Sequence, residues 1–165
     1  MTRGCNVMIR IESPSNAGEL AKLAEKIIEL ARSRGASPKA EGRLRLVLEE
    51  LLTNIRLYAY PAAPPSADDI AVEIMPVEAS PAGILRLRIL DRGPGFDPLK
   101  DAPAPDLAAG VDERPIGGLG VFLVRKMTCA LEYERVENEY NQITLDFPLA
   151  PEDDACAANT DGEPA

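Results

Sequence analysis

The sequence predicts an α/β fold: a two-layer α/β sandwich with a mixed, mainly antiparallel sheet. Two observations predict it. The elements read strand, helix, helix, strand, strand, long loop, helix, strand, strand. The middle pair and the last pair of strands each follow one another across a short turn. That favours antiparallel neighbours, with the helices laid on one side of the sheet. A chain of 165 residues, 45% of them hydrophobic, suits one domain with its own core.

Residues 5–11, CNVMIRI, alternate and read as a first strand. In the next segment Leu20, Leu23, Ala24, Ile27 and Ala31 recur at helical spacing, and Gly35 is a stop signal. Ser37 is an N-cap and Pro38 a first-turn residue for a second helix, which ends before Pro61. A loop over 61–69 leads to two strands, IAVEIMPV and GILRLRILD. Residues 92–118 are rich in glycine and proline and poor in bulky apolar side chains, so they form a long loop. A helix of about ten residues follows, then ALEYERV and NQITLDFPL as a hairpin. The domain is expected over 1–150, with a disordered acidic tail over 151–165.

Composition excludes several classes. The chain has no histidine, which removes that residue as base, phospho-acceptor or metal ligand. Its net charge is −9, and Glu152, Asp153, Asp154, Asp161 and Glu163 account for the share beyond Ala150. The rest stays acidic, which disfavours general nucleic-acid binding. There is no long apolar run to cross a membrane and no signal-peptide core at the N-terminus. Cys5, Cys129 and Cys156 are far apart, which fits neither a disulfide framework nor a metal site. They read as small apolar residues of a cytoplasmic protein.

Three stretches carry chemistry. On the second helix, Leu44, Val47, Leu48, Leu51, Leu52 and Ile55 form an apolar stripe, with Glu50 and Asn54 as neighbours at one edge. A carboxylate there accepts a proton or holds a water, and an amide oxygen ligates Mg²⁺ without adding charge. The same pattern also describes the polar edge of an ordinary amphipathic helix. Glu49 projects elsewhere, as a solvated partner for Arg45. In LDRGPGFDP, Asp91 ends a strand beside Gly93 and Gly95. An acid so placed accepts a hydrogen bond from an exocyclic amine while glycine lets a flat base approach, although Asp, Gly and Pro also make plain turns. In RPIGGLGVFLVRKM, Gly117, Gly118 and Gly120 precede or open a helix. Such backbone either cradles phosphate or serves as a hinge. It is neither a P-loop nor a Rossmann glycine turn.

Together the three stretches resemble the Bergerat (GHKL) ATP-binding fold, and in particular the bacterial anti-sigma-factor serine/threonine protein kinases. EELLTNIRLYAYP resembles their N box, DRGPGFDP their first glycine box, and ERPIGGLGVFLVRKM with LEYERVENEYNQITL their second glycine box and closing hairpin. The resemblance spans roughly residues 5–148. It implies that Asn54 ligates Mg²⁺ bridging ATP phosphates and that Glu50 is the general base or orients the attacking hydroxyl. It implies that Asp91 reads the adenine amine, with Gly93 and Gly95 shaping that side. Gly117, Gly118 and Gly120 would cradle phosphates, Arg114 would reach the γ-phosphate from an ATP lid over 97–116, and Thr144 would support the adenine. Tyr58 stands where many relatives have histidine, and a phenol is a poor base near neutral pH.

The implied partners are a STAS-type anti-anti-sigma protein, phosphorylated on serine, and a sigma factor kept from RNA polymerase. Many such kinases are homodimers. Two other readings compete: a nucleotide-gated module that captures a regulator with little or no transfer, and an isolated histidine-kinase-like catalytic domain with a separate phospho-acceptor.

Overall fold

The computed structural model describes residues 7–60, 66–76, 79–80, 83–97, 100 and 119–150. Its elements are β1 (Ile9–Ser13), α1 (Ala17–Ser33), α2 (Pro38–Tyr58), β2 (Ile70–Ile74), β3 (Ile84–Asp91), α3 (Leu119–Met127), β4 (Ala130–Val136) and β5 (Tyr140–Pro148). The five strands form one sheet in the order β1-β2-β3-β5-β4. Every pairing is antiparallel, so the mixed component of the expected sheet does not occur among the described residues. The first strand begins later than the alternation suggested. The expected tail over 151–165 lies outside the described residues.

Local signals explain the boundaries. The Asn16 side chain accepts from the Glu19 N–H and starts α1. At the other end Gly35 takes φ 94°, and the N–H of Ala36 bonds to Ala31 O at 3.0 Å, closing the helix with a left-handed glycine. Ser37 Oγ accepts from the Ala40 N–H at 3.1 Å, with Pro38 in the first turn of α2. The β4–β5 turn places Glu137 and Asn138 at φ 52° and 58°, closed by the Glu139 N–H on Val136 O at 3.0 Å.

The core lies between the helices and one face of the sheet. Leu23, Ile27, Leu44, Val47 and Leu48 meet Val72, Leu87, Ile89, Leu145 and Phe147 there. The opposite face is polar and carries a row of mostly charged residues in register: Arg10, Glu73, Arg88, Thr144 and Glu132. Arg10 bonds Glu73 across this face at 2.7 Å. Next to the row, Arg86 grips the buried Asp146 through two bonds of 2.6 and 2.7 Å. Among the described residues no helix is long and apolar enough to cross a membrane. Cys129 is disulfide-bonded, which corrects the reading of the cysteines as plain small apolar residues.

Candidate active site

The inner face of the sheet changes character at one end. Val72, Ile89, Ile143 and Tyr133 lie in register, and the next row reads Ile70, Asp91, Asn141 and Arg135. A carboxylate, an amide and a guanidinium therefore stand where the sheet leaves the core. Asp91 and Asn141 are each 4% exposed. Burial raises the Asp91 pKa above the ordinary carboxylate value; bonds from Asn141 and Gly93 and the charge of Arg135 oppose that rise.

Asp91 uses one oxygen for the protein. Its Oδ1 accepts the Gly93 N–H at 2.8 Å and Asn141 Nδ2 at 2.9 Å. Oδ2 has no hydrogen-bond donor among the described residues and is not sealed from solvent. Asp91 lines a pocket whose walls are Leu51, Asn54, Ile55 and Tyr58 of α2, Pro94 and Phe96 of the following loop, and Tyr133 and Ile143 of the sheet. The pocket is mostly apolar with few polar atoms, the character expected of a small-molecule site. At its edge the Tyr58 ring stacks on Phe96, with centroids 5.4 Å apart and planes 20° apart.

The loop after Asp91 is held from several sides. Asn141 Nδ2 also donates to Pro94 O at 2.9 Å, and Arg135 Nη1 to Gly93 O at 2.8 Å. Asn141 Oδ1 accepts from Tyr133 OH at 2.8 Å and from Arg135 Nη1 at 3.0 Å. Tyr60 OH accepts the Arg92 N–H at 2.9 Å and donates to Asp69 O at 2.6 Å. Burial pushes the Tyr60 phenol up to about 12. Gly93 is required by close approach, since a Cβ there would overlap Ala59 Cβ and fall 2.8 Å from Ala59 Cα. A Cβ on Gly95 would meet nothing within 4 Å.

Glu50 lies farther along α2. Ala59 and Glu50 are about 13 Å apart along the helix axis, with Asn54 between them. Glu50 and Asn54 are partly exposed, and neither side chain has a hydrogen-bond partner among the described residues. The start of α3 lies against Glu50: a Cβ on Gly120 would overlap Oε2 and stand 2.9 Å from Cδ. Glu49 is exposed as expected, but Arg45 forms its ion pair with Glu25 of α1.

Of the residues singled out in the sequence, Asn54 and Asp91 share the pocket, Gly93 supports it, and Glu50 and Gly120 meet beside it. Thr144 is not brought there. It pairs with Arg88 and Glu132 on the far face of the sheet, and Asn141 holds the place next to Asp91. Arg114, Gly117 and Gly118 lie outside the described residues, as does the expected lid over 97–116 apart from Asp97 and Lys100. Asn141, Tyr133, Arg135 and Tyr60 were missed in the sequence. The alternation of Ile143, Leu145 and Phe147 could have found Asn141, because it puts 141 inward and 144 outward.

A five-stranded antiparallel sheet covered by helices, with a carboxylate-bearing pocket between α2 and the sheet end, defines the class. The chain belongs to the histidine kinase-like ATPase domain family, which matches residues 13–147. It is 34% identical over 109 residues to the serine/threonine-protein kinase BtrW of Bordetella bronchiseptica, a match covering 66% of this chain and 71% of that protein. Its fold is similar to the crystal structure of the RsbU and RsbW domains of Rv1364c from Mycobacterium tuberculosis. There the TM-score is 0.55 at 12% identity, over 86% of this chain and 33% of that longer one.

Proposed function

We propose that this protein is an ATP-dependent serine/threonine protein kinase acting as an anti-sigma regulatory factor. Its substrate is a serine of a STAS-type anti-anti-sigma partner, and phosphorylation of that partner leaves the kinase free to hold a sigma factor. The observation that carries the reading is Asp91: a buried carboxylate with Oδ1 engaged by the protein and Oδ2 left to an apolar pocket. A purine with an exocyclic amine satisfies that oxygen while its flat faces meet apolar side chains. The likeness to BtrW supports the kinase reading.

With the base at Asp91, the triphosphate runs along α2 toward Glu50 and the start of α3. Gly93 lets the loop close down beside the base, with Gly95 next to it. Gly117, Gly118 and Gly120 offer backbone N–H groups to phosphate, and Arg114 reaches the γ-phosphate. Glu50 accepts the proton of the attacking serine hydroxyl. The serine oxygen bonds to the γ-phosphorus, the bond to the β,γ-bridging oxygen breaks, and ADP leaves. Thr144, on the opposite face, has no part in this scheme.

Asn54 suits Mg²⁺ as a neutral oxygen donor. Among the described residues no group of three acidic or sulfur ligands could hold a metal alone, so the ion would be shared with phosphate and water. Bound there, it would neutralise charge on the phosphates.

The test is phosphorylation of a cognate STAS-type protein. Serine phosphate should form with the wild type and vanish with Glu50→Ala while partner binding persists. ATP-dependent capture of the partner without phosphoserine would replace the kinase reading by the nucleotide-gated binding module. Acid-labile phosphate on a partner histidine would favour the histidine-kinase-like reading.

A further inference from the structure

Asn141 stands between Oδ1 of Asp91 and the loop beside the pocket. Its amide is fixed in one orientation. Oδ1 accepts from Tyr133 OH and Arg135 Nη1, so Nδ2 must face Asp91 Oδ1 and Pro94 O. A flipped amide would set its oxygen against both acceptors. Asp91 cannot rotate freely either, because the Gly93 N–H holds the same Oδ1.

We propose that Asn141 is a positioning residue for nucleotide selection: by occupying Asp91 Oδ1 it fixes Oδ2 toward the pocket and sets a preference for a purine carrying a 6-amino group. The inference rests on the nucleotide-binding reading and gives Asn141 a place beside the base that the family resemblance gave to Thr144. Two consequences follow from the geometry. First, the donor from Asn141 favours the ionised carboxylate and so opposes the rise in pKa that burial imposes on Asp91. Second, Arg135 ties Asn141 to Gly93 O and to Asn138 O in the β4–β5 turn, so the hairpin tip, the loop and the carboxylate are set as one unit.

The test uses equilibrium binding of two probes, ATP and purine riboside triphosphate, which lacks only the 6-amino group. A hydrogen bond to a charged acceptor makes the wild type prefer ATP by about tenfold or more. Asn141→Leu, which keeps the branched shape without the polar atoms, should bring the two affinities within about threefold, mainly through weaker ATP binding. A merely structural role would weaken both probes alike and leave their ratio unchanged, which would overturn the proposal. Equal affinities in the wild type would also overturn it. A folded wild type that binds neither probe would instead sink the nucleotide reading itself. Should Asn141→Leu fail to fold, Asn141→Asp serves. It keeps the acceptor for Tyr133 and Arg135 but faces Asp91 with a second oxygen, and the preference for ATP should be lost there too.

Discussion

Gly120 lies directly against Glu50, so close that a Cβ on the glycine would overlap Oε2 of the carboxylate. The absence of a side chain at 120 therefore has a cause beside any backbone role toward phosphate. It lets the first turn of α3 settle over the acid without pushing it aside. The atom in the way is the end of a flexible side chain, so a methyl group at 120 would move Glu50 rather than α3.

Gly120→Ala is expected to separate stability from chemistry. The melting temperature should change by about 2 °C or less. Displacement of the acid should lower kcat for partner phosphorylation by about a hundredfold. Thermal melts and initial-rate phosphorylation assays check the two halves.

Gly93→Ala should behave differently. Here the obstruction includes Ala59 Cα, which is backbone at the end of α2 and cannot step aside cheaply. Overpacking should cost about 2 kcal/mol, or about 4–8 °C in a domain of this size. Nucleotide affinity should fall with it, because the displaced loop carries Pro94 and Phe96. Calorimetry and melting curves on one preparation would show both losses together.

Much of this site was legible in the sequence because its parts are tied to strong local signals. Glu50 and Asn54 share a helix edge by spacing alone, and their apolar neighbours fix which way the helix faces. Asp91 closes a strand whose alternation marks it as inward, and the burial of Leu85, Leu87 and Ile89 bears that alternation out. ALEYERV, read as the first strand of the closing hairpin, coincides with β4. Thr144 failed for a physical reason. The family resemblance suggested it, while the two-residue period of β5 turns it to the opposite face. The Asn141–Asp91 and Tyr60–Arg92 bonds join residues 50 and 32 positions apart, which local spacing does not encode. The late start of β1 reflects pairing with β2, since Ile9 meets Ile74 at the last residue of that strand.

Asp91→Asn should stabilise the nucleotide-free protein at neutral pH. An amide oxygen at Oδ1 still accepts from Gly93 and Asn141, and the buried charge is gone. The pH dependence has a definite sign. Burial raises the folded-state pKa of Asp91, so its favourable linkage is fully present below the unfolded value and is lost as pH rises through the folded one. The advantage of the variant over the wild type should therefore shrink as pH falls through that interval. Urea unfolding at neutral and mildly acid pH checks the trend. An advantage that grows on acidification would contradict it.

Arg86→Ala removes the partner of Asp146, which is 1% exposed on the polar face of the sheet. Arg86 keeps 35% of its side chain exposed, so solvent softens the loss. A cost of about 3 kcal/mol is expected, equivalent to about 6–12 °C. The pair is remote in register from Asp91, so nucleotide affinity measured below the transition should not follow the stability.

The most direct measurement is calorimetric titration of the wild type and Asp91→Asn with Mg-ATP, at a pH where both are folded. The wild type should bind saturably, and the variant should bind more weakly by about tenfold or more, through loss of a charged acceptor for the base amine. Equal affinity in the two proteins, or no binding by a folded wild type, would contradict that role for Asp91.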